Sequence, residues 1–297
     1  MEQVINAIVL GSCYCLFALG LSLTWGTLNV LNLAHGAVFM FSAFTCYLIT
    51  QRLDAHIPLW VLAIIAMTVG AVLELALDVL VFRPIRRRAR TLRDAELAML
   101  IASIGAATIP VTIAQQVTVD SPFSITSTAI NTREFHFGGV YVTTIEIVIV
   151  AVTLAATIAL ALWLQRTRNG RALRALAVDT DTSGLMGISQ GRLSALALVF
   201  SGASAGIAGV FLAIFLDSLT PESGQDLLLK AFAAVVIGGV GSVWGTLVGA
   251  MILASGETLV SATTSGTWTD AVSFALIIII LLVMPSGLFR RLRVDRT

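Results

Sequence analysis

Few residues in this 297-residue chain could do chemistry, and most of them stand where hydrocarbon would surround them. Asn29, Asn32 and His35 recur at the spacing that lines side chains along one face of a helix, with Gly36 directly after. Unsatisfied polar groups in a bilayer cost on the order of several kcal/mol each, so such a face must meet protein or a water-filled path. A helix–helix hydrogen-bond set and a pathway wall both meet that demand. Gly238, Gly239, Gly241 and Gly245 pose a similar choice. Broken backbone is tolerated at membrane depth only where it is buried in protein or lines a cavity, which leaves tight packing or a gate. Glu74 and Asp78 lie one turn apart beside a run of arginines, and pairing with Arg83 or Arg86 at the membrane interface accounts for them.

Enzymatic constellations find no support. A phosphate-cradling loop needs clustered glycines followed by a lysine, and the sole lysine, Lys230, heads an apolar segment without them. ATP hydrolysis by this chain is therefore not expected. His56 and His136 fall in outward loops, and His35 has no His, Cys or carboxylate one turn away. Cys46 lies about three helical turns on, too far to share an ion. No metal site, bound cofactor or catalytic residue is expected, and Cys13, Cys15 and Cys46 read as small buried hydrophobes.

One stretch is polar where its surroundings are not. Residues 166–188, RTRNGRALRALAVDTDTSGLMGI, read as a short helix, a turn and a second short helix. The arginines serve in part as topology determinants. Leu173, Leu176 and Ala177 form one apolar strip and Leu185, Met186 and Ile188 another, while Asp179, Thr180 and Asp181 supply turn or N-cap chemistry. A linker need not be amphipathic, but a docking surface for another protein would be.

The elements that position these residues are membrane helices. Apolar residues make up 57% of the chain and charged ones 12%, against roughly 25% charged in a soluble domain. The apolar blocks are long enough to span a bilayer, which specifies a single all-α, polytopic membrane domain over residues 1–297. Basic residues concentrate at 83–93, 166–174, 192 and 290–296, so these face the cytoplasm. The acidic segments 52–58, 120–144, 217–226 and 261–270 face outward, and 120–144 has room for a short hairpin or a surface helix. Runs at 4–25, 28–50, 57–82, 95–119, 145–164, 193–216, 227–240, 246–260 and 271–284 give nine crossings, or eight if a short one is re-entrant. The N-terminus is then outside, with no cleavable leader expected, and the C-terminus inside. The series Ser201, Gly202, Ala203, Ser204, Ala205, Gly206, Ala208 and Gly209 allows close helix approach.

Four segments carry a resemblance: 20–42 (GLSLTWGTLNVLNLAHGAVFMFS), 170–188 (GRALRALAVDTDTSGLMGI), 202–210 (GASAGIAGV) and 231–249 (AFAAVVIGGVGSVWGTLVG). In order and separation they resemble the permease subunits of branched-chain amino acid ABC importers, the LivH-like branch. The resemblance implies a bacterial cytoplasmic (inner) membrane location and a second, homologous permease subunit. It also implies two cytoplasmic ATPases that hold ATP and Mg, and an extracytoplasmic solute-binding protein. Membrane lipid is the remaining partner, and no nucleic acid is expected. The coupling loop would be 166–190, with Arg171, Arg174, Ala175, Asp179, Ser183 and Gly187 meeting the ATPase. The solute would pass near Asn29, Asn32, His35 and Gly36 and the glycines 238–245. Ser183 stands where alanine is usual, and Ala37 follows His35-Gly36 where glutamate is common, which leaves amino acids, amides and urea all open as substrates. A rival reading, an ion-coupled secondary transporter, would need Glu74, Asp78 or Glu257 in mid-membrane.

Overall fold

The computed structural model describes residues 2–28, 31–53, 57–125, 134–137 and 140–263, with scattered positions between 271 and 288. Asn29, His56, the ninth apolar run and the basic C-terminal segment lie wholly or mostly outside the described residues. Within them the chain is helical: α1 (Glu2–Leu28), α2 (His35–Leu53), α3 (Leu59–Leu77), a π-helical turn (Asp78–Phe82), α4 (Arg83–Arg88), α5 (Leu92–Thr118), α6 (Thr144–Arg166), α7 (Arg168–Val178), α8 (Thr180–Leu185), α9 (Gln190–Leu216), α10 (Ser223–Gly238) and α11 (Val243–Thr263). Six helical segments among the described residues are long and apolar enough to cross a membrane: Glu2–Leu28, Leu59–Arg88, Arg93–Thr118, Thr144–Arg166, Gln190–Leu216 and Val243–Thr263. Between α5 and α6 lies a hairpin, β1 (Glu134–Phe137) antiparallel to β2 (Val140–Thr143), one of the two forms expected for residues 120–144.

Local chemistry sets the helix ends. Thr91 caps α5 by accepting from the Asp94 amide at 3.1 Å. Thr143 and Glu146 form a reciprocal capping box at the start of α6, which satisfies two otherwise orphaned amides. Gly239, at φ 94°, ends α10 in a conformation a side chain would resist. Phe123 and Leu219 exchange backbone hydrogen bonds of 2.8 and 2.9 Å, tying the segment after α5 to the segment after α9.

Small residues bring the central helices into backbone contact. A methyl group on Gly202 of α9 would fall on the Gly70 carbonyl of α3, and one on Gly70 would fall on the Gly202 carbonyl. Gly206 sits equally close to the Ala66 carbonyl, and Gly209 faces the Phe39 carbonyl of α2. The GASAGIAGV series therefore does what its composition predicts. Between lipid-like surfaces, where burial of apolar area drives little, such close packing is a main source of helix association. Phe17, Phe39, Phe44 and Phe211 fill the core around this crossing.

Candidate functional site

The buried polar residues converge on the end of α1 and the start of α2. Asn32 lies in the turn before α2, and His35 begins that helix. Their three-residue spacing is thus not a helical face, because the turn between α1 and α2 intervenes. The two side chains meet instead at a carboxylate from α3. Glu74, fully buried, accepts from Asn32 Nδ2 at 2.8 Å and contacts His35 Nδ1 at 2.8 Å. Ser201 Oγ of α9 stands 3.3 Å from the same imidazole nitrogen. On the other side His35 Nε2 is 3.2 Å from the Phe17 carbonyl, and the ring stacks on Phe17 at 4.6 Å. A carbonyl only accepts, so Nε2 carries a proton. Nδ1 faces both the Glu74 carboxylate and the Ser201 hydroxyl, so α1, α2, α3 and α9 meet at one imidazole.

Glu74 is therefore not the interfacial partner of an arginine. Asp78, one turn further along, has that role: Arg83 Nε donates to it at 2.7 Å, and Arg86 binds its other oxygen while donating to Ser194 of α9 at 2.8 Å. His35 lacks a companion one turn away, but a carboxylate from another helix supplies one. Among the described residues no group of three His, Cys, Asp or Glu could hold a metal ion.

Lys230 also has a partner that spacing could not name. Its Nζ lies 3.1 Å from Glu257 Oε1, and Tyr14 donates to Glu257 Oε2 at 2.6 Å, so α10, α11 and α1 share one ion pair with a buried carboxylate and a half-buried lysine. The signal for both clusters was present in principle: an ionisable residue inside an apolar run demands a partner.

The glycines proposed as a gate sit at helix crossings. Gly36 of α2 abuts the Gly224 carbonyl of α10, and Gly238 and Gly245 press against each other's backbone between α10 and α11. Gly239 and Gly241, at φ 94° and 78°, make the break between those helices. Every one of these contacts is backbone against backbone.

The polar stretch folds as the helix pair α7–α8. Its first apolar strip faces inward: Leu173 and Leu176 are buried with Leu23, Leu164, Leu193 and Ala197 of α1, α6 and α9. That strip anchors the loop to the bundle and is not the docking surface its amphipathicity suggested. The apolar side chains left in the open are Val178, Leu185 and Met186, each more than three-quarters exposed. Asp179 caps α8, accepting from the Thr182 amide at 3.0 Å. Gly187, at φ 79°, closes α8 in a Schellman arrangement, with Ile188 N donating to Ser183 O at 3.2 Å and Gly187 N to Gly184 O at 3.0 Å. Ser183 is 6% exposed, a place for a small residue. Arg171 and Ala175 are exposed, and Arg174 is half-buried with its Nε lacking a hydrogen-bond partner.

Close-packed helices long and apolar enough to cross a membrane, with paired polar residues buried between them and the capped helix pair α7–α8 anchored on α1, α6 and α9, define a polytopic membrane helix bundle. The fold is similar to that of PsaBC from Streptococcus pneumoniae in complex with Fab, with a TM-score of 0.51 at 15% identity over 96% of this chain and 91% of that one. The chain belongs to the family described as branched-chain amino acid transport system / permease component, whose model matches residues 3–281. It is 34% identical over 308 residues to the high-affinity branched-chain amino acid transport system permease protein LivH of Escherichia coli (strain K12), covering 100% of this chain and 97% of that one. The corresponding protein BraD of Pseudomonas aeruginosa is 31% identical over the same coverage.

Proposed function

We propose that this chain is the membrane-spanning permease subunit of an ABC importer, carrying branched-chain or other amino acids into the cell. Full-length similarity to two permeases named for branched-chain amino acid transport supports the substrate class. Amides and urea are the remaining solutes to assay. A second, homologous permease completes the membrane unit, two ATPases bind and hydrolyse ATP with Mg on the cytoplasmic side, and an extracytoplasmic protein delivers solute. The chain crosses the membrane eight or nine times in the cytoplasmic membrane, N-terminus out and C-terminus in.

The observation that carries the mechanism is the division of labour in α7–α8. Leu173 and Leu176 fix the pair to α1, α6 and α9, while Val178, Leu185 and Met186 are left for a partner. Arg171, Arg174, Ala175, Asp179, Ser183 and Gly187 shape that docking face. Nucleotide shifts the transporter only as far as its affinity differs between two states. A pull on α8 reaches the bundle through the buried leucines, and closure of the ATPase pair would so be transmitted to α1 and α9. Solute passes beside the elements held by Asn32, His35 and Gly36 and by the break at Gly238, Gly239, Gly241 and Gly245. Co-expression with the candidate ATPases tests the docking face. Asp179→Ala or Met186→Asp should weaken ATPase pull-down while membrane insertion is unchanged, and undiminished association would refute docking there.

A further inference from the structure

We propose that the basic rim of the bundle holds one anionic phospholipid, seated in a cavity between Arg83 and the first three turns of α9. The cavity is about 500 Å³ and is bounded by Arg83, Ser189, Gly191 and Arg192 at one end, and by Ala195, Leu196 and Val199 at the other. Arg192, Ala195, Leu196 and Val199 follow the i, i+3, i+4, i+7 pattern of a single helical stripe. That stripe is charged at its start and apolar further along α9. From Ser189 to Val199 the helix rises about 15 Å. The polar headgroup layer of a bilayer is only about 5–8 Å deep on each side, so a pocket of that length along α9 is longer than the layer. A phosphate at the arginines with its acyl chain along Val199 matches this gradient, and a free inorganic anion would use only half of it.

The local charge favours an anion. Arg83 and Arg86 share the single carboxylate of Asp78, and Ser194 Oγ also lies 3.4 Å from it. Two guanidinium groups against one carboxylate leave a net positive charge, to which Arg192 adds. Arg192 is exposed and has no ion-pair partner among the described residues. The Arg83 side chain is 35% exposed, so its guanidinium is open to more than Asp78. The lipid would sit directly after the α7–α8 pair, touching the same helix α9 against which Leu173 and Leu176 are packed.

Native mass spectrometry of the full-length chain in detergent, titrated with phosphatidylglycerol or phosphatidylcholine, tests this without the other subunits. Preferential retention of one phosphatidylglycerol is expected. Arg192→Gln should weaken it about fivefold, the fold-change matching the ~1 kcal/mol of an interfacial arginine. Ala195→Phe, which fills the apolar end and keeps every charge, should also weaken it. Excess inorganic phosphate should leave the lipid bound. Equal retention of both lipids, or wild-type affinity in both variants, would overturn the proposal. Displacement by phosphate alone would overturn the lipid assignment in favour of a free anion.

Discussion

Replacing Glu74 with alanine removes the carboxylate that the buried side chains of Asn32 and His35 share. Asn32 Nδ2 and His35 Nδ1 each lie 2.8 Å from that carboxylate, which is fully buried. A buried donor left unpaired costs about 1–3 kcal/mol, and breaking a buried pair by removing one partner costs about 3–5 kcal/mol in all. Glu74→Gln is the informative contrast. Its carbonyl accepts from Asn32, and its NH2 donates to Nδ1 of a neutral His35 that keeps its proton on Nε2 for the Phe17 carbonyl. Every bond in the cluster is then preserved, and the cost should stay below about 1.5 kcal/mol. Denaturant titration of the detergent-solubilised variants, read by tryptophan fluorescence, measures both. The expected order is wild type, then Gln close behind, then Ala well below. Equal loss in Gln and Ala would show that the full charge, not the hydrogen-bond set, holds α1, α2, α3 and α9 together, and the reasoning would fail.

Three further outcomes follow from the same geometry. Gly187→Ala should strain the end of α8 by about 1–2 kcal/mol, because a residue with a Cβ resists φ 79°; ATPase pull-down should fall with surface expression intact. Gly202→Leu places a side chain on the Gly70 carbonyl, which cannot yield without parting α3 from α9; gel filtration should show loss of the monodisperse species. Lys230→Met should destabilise by about 1–3 kcal/mol by taking the ion partner from Glu257, to which Tyr14 still donates. Lys230→Met combined with Glu257→Gln should recover most of that in the same titration, since Gln still accepts from Tyr14.

Much of the scaffold is legible because membrane helices announce themselves by length and their ends by local chemistry. The apolar runs match α1, α3, α5, α6, α9 and α11, and the Asp78 pairing with Arg83 and Arg86 is local enough to read from spacing. Asp179 is legible for the same reason, since caps depend on neighbours, whereas Gly187 stands out only through the family resemblance and its role in closing α8 is seen in the structure. The partners of His35, Asn32 and Lys230 are not. They come from residues far along the chain, and a helix apolar on every side gives no periodic signal of which face turns inward. Asn32 misled for a different reason: its spacing from His35 fits a helix, but the chain turns there before α2 begins. Leu173 and Leu176 show the limit of amphipathicity, which marks a face to be covered without saying whether the protein's own bundle or a partner covers it.

This chain should move solute only when an ATPase drives it through α7–α8. Uptake of labelled leucine into proteoliposomes measures that directly, with the chain reconstituted alone and with its co-purifying permease, ATPases and solute-binding protein. Uptake should require the whole assembly and ATP, should ignore imposed H⁺ or Na⁺ gradients, and should drop when Met186→Asp replaces the wild-type chain. Gradient-driven uptake by the chain alone would contradict it.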